Sequence, residues 1–73
     1  MNNFAEMIIS LRKSKNVTQK QISEITNISE RNYQRLEAGK SKPTIDTFIK
    51  LADYFDCSID YLTGRTDNPK INK

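Results

Sequence analysis

Histidine is absent from this sequence, and cysteine occurs once, at position 57. No internal disulfide can therefore form, and a zinc site, which needs several Cys or His ligands, is practically excluded. We interpret Cys57 as a small core side chain and not as a nucleophile, because no histidine is present to activate it. The chain also lacks a Gly-rich phosphate loop, so we predict that it is not an enzyme and needs no cofactor.

Long hydrophobic runs are missing as well. No apolar stretch approaches the roughly 20 residues of a membrane span, and the first ten residues, MNNFAEMIIS, carry no basic region of a signal peptide. We therefore expect a cytoplasmic protein without a membrane partner, and no small-molecule ligand is evident. The length of 73 residues predicts one domain, near the lower limit of what folds unaided.

The net charge of +3 is unevenly distributed along the chain. Residues 12–42 contain eight basic and three acidic side chains, whereas residues 43–64 contain four aspartates and one lysine. This division indicates one face suited to a polyanion. A solvated surface with a chance asymmetry would explain the same counts equally well.

Apolar residues recur at the spacing of helices, which predicts an all-α fold. A first helix is predicted over about residues 3–14, where Phe4, Met7, Ile8 and Leu11 share one face.

Capping signals define the second helix and the corner after it. Thr18 and Gln21 form a capping box at its start, and we expect it to end near Ile25 or Thr26. Asn27 then stands at a tight corner, where a residue that tolerates positive φ is needed.

The third helix is predicted to start at the N-cap Ser29 and to stop at Gly39, which suits a left-handed position. Its apolar residues, Tyr33 and Leu36, fall on one side and should be buried. The opposite side then exposes Arg31, Asn32 and Arg35.

Two further helices follow, with Thr44 and Ser58 as their N-caps. From Thr63 onward apolar periodicity is lost, so we divide the chain into a domain over residues 1–64 and a flexible tail, or start of a linker, over residues 65–73. The side chains expected to be buried in these helices are Ile45, Phe48, Ile49, Ala52, Phe55, Ile59 and Leu62.

The outward face of the third helix suits the major groove of B-DNA, where Arg can bind guanine and Asn can bind adenine through two hydrogen bonds each. Arg31 and Arg35 are one turn apart and could reach neighbouring base pairs. Glu30 could accept from cytosine or simply suit the helix N-terminus, and Gln19 could touch the first base pair or be an ordinary exposed residue. The predicted base contacts are Gln19, Glu30, Arg31, Asn32 and Arg35.

Two segments beside this helix could hold the DNA backbone. The N-terminus of the second helix offers unpaired N–H groups to an anion, and the segment KSK at 40–42 is a basic loop. For a single lysine, a solubilising charge is the better explanation. The predicted phosphate contacts are Thr18, Lys20, Lys40, Ser41, Lys42 and Thr44.

A family resemblance covers residues 4–64. The pattern in Gln19, Ile22, Ile28, Ser29, Tyr33, Leu36, Glu37, Gly39 and Pro43 resembles the helix-turn-helix of the lambda-repressor-like (Cro/cI-type, XRE) family. The resemblance implies a compact bundle of five helices, and a homodimer that places two recognition helices on an inverted repeat of double-stranded DNA. It also implies the base contacts given above and a structural ion pair between Arg12 and Glu37.

The chain departs from the family pattern at several positions. Ser23 replaces a usual Ala and could add a hydrogen bond where two helices cross, and Asn27 replaces a usual Gly. Ile25 and Thr26 exchange the usual order of polar and aliphatic residues. Tyr33 replaces a β-branched residue, so its hydroxyl must find water, phosphate or backbone.

We therefore predict a sequence-specific transcription regulator that binds double-stranded DNA, most similar to a repressor of a phage or mobile element. Such a protein would be bacterial or phage-encoded and associated with the nucleoid when bound. One alternative with the same chemistry is a restriction-modification controller or an antitoxin. An alternative of a different class is a helical protein-interaction module without a role on DNA.

Dimerisation is expected because one small domain touches few base pairs, and two copies one DNA turn apart would add specificity. The candidate contacts lie on the acidic half of the chain, where an ordinary core or surface role is equally well supported. The tail could also begin a linker to a further part of a longer repressor. The candidate dimer contacts are Tyr54, Asp56, Ile59, Tyr61 and the tail.

Overall fold

Five helices follow one another in the computed structural model, which describes residues 4–62. They are α1 (Phe4–Ser14), α2 (Gln19–Thr26), α3 (Glu30–Glu37), α4 (Ile45–Phe55) and α5 (Ile59–Leu62). No strand occurs between residues 4 and 62. The predicted all-α fold with five helices is therefore confirmed, whereas the predicted tail over residues 65–73 lies outside the described residues.

The helix starts are held by the predicted caps. Thr18 Oγ1 accepts a hydrogen bond from the Gln21 backbone N at 3.0 Å, and Gln21 Oε1 accepts one from the Thr18 backbone N at 2.8 Å, which completes the capping box. Thr44 Oγ1 accepts from the Thr47 backbone N at 3.2 Å, and Ser58 Oγ from the Tyr61 backbone N at 3.0 Å. These bonds satisfy N–H groups that lack a partner within the helix.

The helix ends are closed by residues in the left-handed conformation. Asn27 follows α2 with φ of 59°, as predicted, and Gly39 follows α3 with φ of 73°. Asn16 and Asp56 adopt the same conformation after α1 and α4, with φ of 57° and 55°. Asn and Asp tolerate this region better than other residues that carry a Cβ atom. The chain thus turns three of its corners without glycine.

One hydrophobic core joins all five helices. Tyr33 and Leu36 point inward from α3, as predicted, and Cys57 is buried between α4 and α5. Burial raises the pKa of the Cys57 thiol, which agrees with its interpretation as a core side chain. The buried hydrophobic residues are Met7, Ile8, Ile22, Ile28, Tyr33, Leu36, Leu51, Ala52, Phe55, Cys57 and Leu62.

The prediction of which side chains of α4 and α5 face the core was wrong in part. Ile45 is 70% exposed, and Ile49 and Ile59 are also exposed, whereas Leu51 is fully buried. Because α4 carries two adjacent apolar stripes, helical spacing alone does not decide which one faces inward. Contacts of α4 with α2 and α5 select the stripe that includes Leu51, and they leave the other at the surface.

A membrane-spanning helix and a metal-binding cluster are both absent from the described part of the chain. No helix there is long and apolar enough to cross a membrane. Within residues 4–62, no three Cys, Asp or Glu side chains come together in a way that could hold a metal ion.

Candidate nucleic-acid interface

Helices α2 and α3 form a helix-turn-helix around the corner at Asn27. Ile28 is buried beyond the corner, where its backbone N donates to the Ser23 carbonyl at 3.1 Å. Ser29 Oγ then accepts from the Asn32 backbone N at 3.1 Å and starts α3. The end of one helix and the start of the next are thus both fixed within three residues.

The two faces of α3 have opposite character. Tyr33 and Leu36 are buried, whereas Arg31 and Arg35 are exposed on the other side of the helix. Neither arginine forms an ion pair with any of the residues 4–62. Their guanidinium groups are therefore presented to solvent and remain available to an external acceptor.

The other predicted base contacts differ in accessibility. Glu30 is exposed in the first turn of α3, and Asn32 is half-buried beside Arg31. Gln19 is half-buried at the start of α2, and its Nε2 already donates to Glu37 Oε1 at 2.9 Å. Of the predicted base contacts, only Gln19 has a side-chain hydrogen bond to another side chain of the described chain.

The predicted phosphate contacts fall into two groups on either side of α3 in the sequence. Thr18 and Lys20 are exposed at the N-terminus of α2. After α3, the Lys40 backbone N donates to the Arg35 carbonyl at 2.9 Å, which closes the helix and starts the basic loop at once. In this second group Lys40, Lys42 and Thr44 are exposed and Ser41 is half-buried.

A largely buried ion pair between Arg12 and Glu37 connects the helix-turn-helix to α1. Arg12 Nε donates to Glu37 Oε2 at 2.7 Å, and Arg12 Nη2 donates to Glu37 Oε1 at 3.3 Å. Arg12 Nη1 also donates to the Val17 carbonyl at 2.9 Å, just before the cap of α2. One guanidinium therefore connects α1, the entry to α2 and the last residue of α3.

The charges of this pair are stabilised by their surroundings. Burial acts to raise the pKa of the Glu37 carboxyl, but the hydrogen bonds that it accepts, above all from Arg12, outweigh burial and lower the pKa. The hydrogen bond with Glu37 raises the pKa of Arg12. Glu37 is therefore a carboxylate at neutral pH and accepts hydrogen bonds only.

Tyr33 lies close to this ion pair, and its side chain is fully buried. Its hydroxyl oxygen forms no hydrogen bond that meets the usual geometry with residues 4–62. Burial, followed by the nearby Glu37, raises the pKa of the Tyr33 hydroxyl, so the group stays neutral. Of the three partners expected for this hydroxyl, water, phosphate or backbone, the described residues supply no backbone group.

The other departures from the family pattern are accommodated within α2. The sequence suggested a hydrogen bond from Ser23 across the helix crossing, but Ser23 Oγ instead donates to the Lys20 carbonyl of its own helix at 2.7 Å. Thr26 Oγ1 donates to the Ile22 carbonyl at 2.6 Å. Ile25 is exposed.

Sequence reasoning missed the contacts that position the start of α2. The hydrogen bond from Gln19 to Glu37 joins α2 to α3, and the one from Arg12 to Val17 joins α1 to the connection before α2. No local sequence pattern indicates either bond. Asn16 carried a usable signal, since an Asn shortly after a helical stretch is typical of a left-handed helix end.

The comparison with known proteins agrees with this geometry. Residues 8–62 match the family described as Helix-turn-helix. The chain belongs to the lambda-repressor-like helix-turn-helix family. The resemblance of its motif is therefore confirmed over most of the described residues.

Two curated relatives of this helix-turn-helix protein are named as regulators. It is 35% identical over 66 residues to the uncharacterized HTH-type transcriptional regulator YobD of Bacillus subtilis. The matched region covers 90% of this chain and 59% of YobD. It is 38% identical over 60 residues to the cryptic phage CTXphi transcriptional repressor RstR of Vibrio cholerae, which covers 82% of this chain and 54% of RstR. The chain thus spans little more than half the length of these relatives.

Two solved structures share the fold. A transcriptional regulator from Listeria innocua superposes with a TM-score of 0.78 at 39% identity, over 85% of this chain and 58% of that one. The P22 c2 repressor, solved in complex with a synthetic operator, superposes with a TM-score of 0.79 at 22% identity, over 85% of this chain and 94% of that one. At this lower identity the likeness concerns the fold alone.

Proposed function

We propose that this protein is a transcription regulator that binds double-stranded DNA through the major groove. The observation that carries the proposal is the face of α3 with Arg31 and Arg35, two exposed guanidinium groups without an ion pair among the described residues, opposite the buried Tyr33 and Leu36. Arginine in this position matches the acceptor pair of guanine in the major groove. Binding would occlude a promoter, and it requires no cofactor and no reaction.

Two sets of side chains have different roles in such a complex. Arg31 and Arg35, with their neighbours, contact base edges and give sequence preference, whereas the lysines and hydroxyls contact phosphates and fix the register. The proposed base contacts are Gln19, Glu30, Arg31, Asn32 and Arg35. The proposed phosphate contacts are Thr18, Lys20, Lys40, Ser41, Lys42 and Thr44.

A repressor of the phage or mobile-element type is the form of regulator that we favour. Its support is the similarity to RstR, which is named as a transcriptional repressor of a cryptic phage. A restriction-modification controller or an antitoxin would use the same DNA chemistry. Such a regulator would work in the cytoplasm, on the nucleoid.

We also include a homodimer on an inverted repeat in the proposal. α3 has eight residues, which at 1.5 Å per residue is about 12 Å, so one copy reaches only a few base pairs. Ile59 and Asp56 are exposed and therefore accessible to a second copy, whereas Tyr54 and Tyr61 are half-buried against the core. Two copies would place their α3 helices about 34 Å apart along the DNA.

The test is selection of bound duplexes from a random pool, followed by measurements of affinity at several salt concentrations. Affinity should fall steeply with salt, because contacts with phosphates release counterions. A flat salt dependence would favour a protein-interaction module and overturn the proposal. Recovery of an inverted repeat would support the dimer, and recovery of a single half-site would contradict it.

Two matched variants separate the roles of arginine and lysine. Arg35→Ala should cost roughly 1–3 kcal/mol of binding free energy and relax the preference at one base pair. Lys42→Ala should weaken binding to all sequences about equally and lower the salt dependence. If Arg35→Ala left both affinity and preference unchanged, the assignment of α3 to the groove would be wrong.

A further inference from the structure

The amide of Gln19 is held from inside the protein. Gln19 is the first residue of α2, and Glu37 is the last residue of α3, eighteen positions later. Gln19 Nε2 donates to Glu37 Oε1 at 2.9 Å. The side chain of Glu37 is only 6% exposed, so the Gln19 amide makes this hydrogen bond on the side that faces the protein interior.

The chemistry of the two groups fixes which end of the amide faces inward. A carboxylate only accepts hydrogen bonds, whereas an amide has a donating nitrogen and an accepting oxygen. If the amide of Gln19 turned around, its oxygen would meet the carboxylate of Glu37 and neither group could donate. The nitrogen therefore faces Glu37, and Oε1 must point away from it.

Glu37 is itself held so that it cannot follow a movement of Gln19. Arg12 donates to both of its oxygens, at 2.7 and 3.3 Å, and is anchored in turn to the Val17 carbonyl. The acceptor that receives Gln19 is thus fixed to α1 and to the entry of α2. Since only one of the two Nε2 hydrogens is needed for this bond, Gln19 keeps one donor and its oxygen acceptor for another partner.

We infer that Glu37 is a positioning residue that fixes the orientation of the Gln19 amide, and thereby the base that Gln19 selects at the edge of the operator. The inference rests on the proposed function. A freely turning amide can offer its donor or its acceptor at a given point, and so it discriminates poorly between bases. A fixed amide offers a single arrangement of donor and acceptor, which matches the distinct pattern of one base pair in the major groove.

The decisive variant is Glu37→Gln, which keeps the shape of the side chain and can still accept from Arg12. Its own amide can donate to Gln19 Oε1, so both orientations of Gln19 become possible. In selection from a random pool, Glu37→Gln should reduce discrimination at one base pair about fivefold or more. Gln19→Ala should relax the same base pair, and the double variant should relax it no further than Gln19→Ala alone.

Glu24→Gln is the matched control, because it removes the same charge from an exposed position of α2. It should change affinity for all sequences alike and leave every preference intact. A uniform loss of affinity in Glu37→Gln, with unchanged preferences, would mean that Glu37 acts only as a structural support and would overturn the inference. The same conclusion follows if Gln19→Ala leaves all preferences intact.

A second measurement covers the case in which Glu37→Gln does not fold. In the unaltered protein, NMR should detect slower solvent exchange of the one Gln19 amide hydrogen that bonds to Glu37 than of the side-chain amide hydrogens of exposed Gln34. Equal exchange rates would overturn the inference. Loss of preference at the Arg35 base pair in Arg35→Ala, together with no effect of Gln19→Ala, would leave DNA binding through α3 standing and reject the base contact of Gln19 together with the role of Glu37.

Discussion

Arg12 and Glu37 lie twenty-five residues apart in the sequence, yet Arg12 Nε donates to Glu37 Oε2 at 2.7 Å. Their side chains are 16% and 6% exposed. The pair joins α1 to the end of α3 and, through Val17, to the start of α2. The orientation of the helix-turn-helix within the domain therefore depends on one largely buried guanidinium.

Arg12→Ala should lower the free energy of unfolding by about 3 kcal/mol, because it leaves the Glu37 carboxylate buried without its main partner. Urea unfolding, monitored by circular dichroism, measures the loss of stability. Arg31→Ala is the control, since Arg31 is exposed and its removal should change stability by less than about 0.5 kcal/mol. Equal unfolding midpoints for the two variants would contradict the structural role of the pair.

Tyr33→Phe should change the free energy of unfolding by less than about 1 kcal/mol, and it could raise stability. The hydroxyl that it removes is fully buried near Glu37 but forms no hydrogen bond of the usual geometry within residues 4–62, so little is lost when it is deleted. Thermal unfolding of the two proteins at neutral pH provides the comparison. A loss above roughly 2 kcal/mol would mean that the hydroxyl has a partner, such as a buried water.

Leu51→Ala and Ile45→Ala form a matched pair that tests which stripe of α4 faces the core. Leu51 is fully buried, so its truncation should cost roughly 2–5 kcal/mol of stability. Ile45 is 70% exposed, and Ile45→Ala should cost less than about 0.5 kcal/mol. A reversed order in chemical denaturation would show that the inner face of α4 is the one expected from the sequence.

Stability should fall on acidification through the protonation of Glu37. Its pKa is lowered in the folded protein from the ordinary value of 4.5, so the unfolded chain binds a proton more readily than the folded one. The contribution of Glu37 is therefore complete well above pH 4.5 and is lost as the pH falls below it toward the lower folded pKa. Glu37→Gln should remove the part of the pH dependence that appears as the pH falls below 4.5 in urea unfolding, and an unchanged slope would contradict it.

The sequence predicted the helix boundaries well because their signals are local. Thr18 and Ser29 cap their helices through hydrogen bonds that span three residues, and Asn27 adopts the left-handed conformation that its side chain tolerates. The exposure of Arg31 and Arg35 followed from the position of Tyr33 and Leu36 on the same short helix. These features require no knowledge of how the helices pack.

Features that depend on packing were harder to predict. In α4, Ile45 and Leu51 lie on two stripes with equally good helical spacing, and only the neighbouring helices decide between them. The hydrogen bond from Gln19 to Glu37 joins side chains from two different helices, so it depends on how α2 crosses α3. It also gives Gln19 a role inside the protein that its place in the sequence did not indicate.

The left-handed conformation of Asn27 has a consequence for the proposed complex. A residue with a Cβ atom has only a narrow range of φ and ψ in this region of backbone space. The angle between the axes of α2 and α3 is therefore already set in the protein without DNA. A site whose groove is too wide or too narrow must then bend or twist to fit. Base pairs that the protein never touches would contribute to its choice of site through their stiffness.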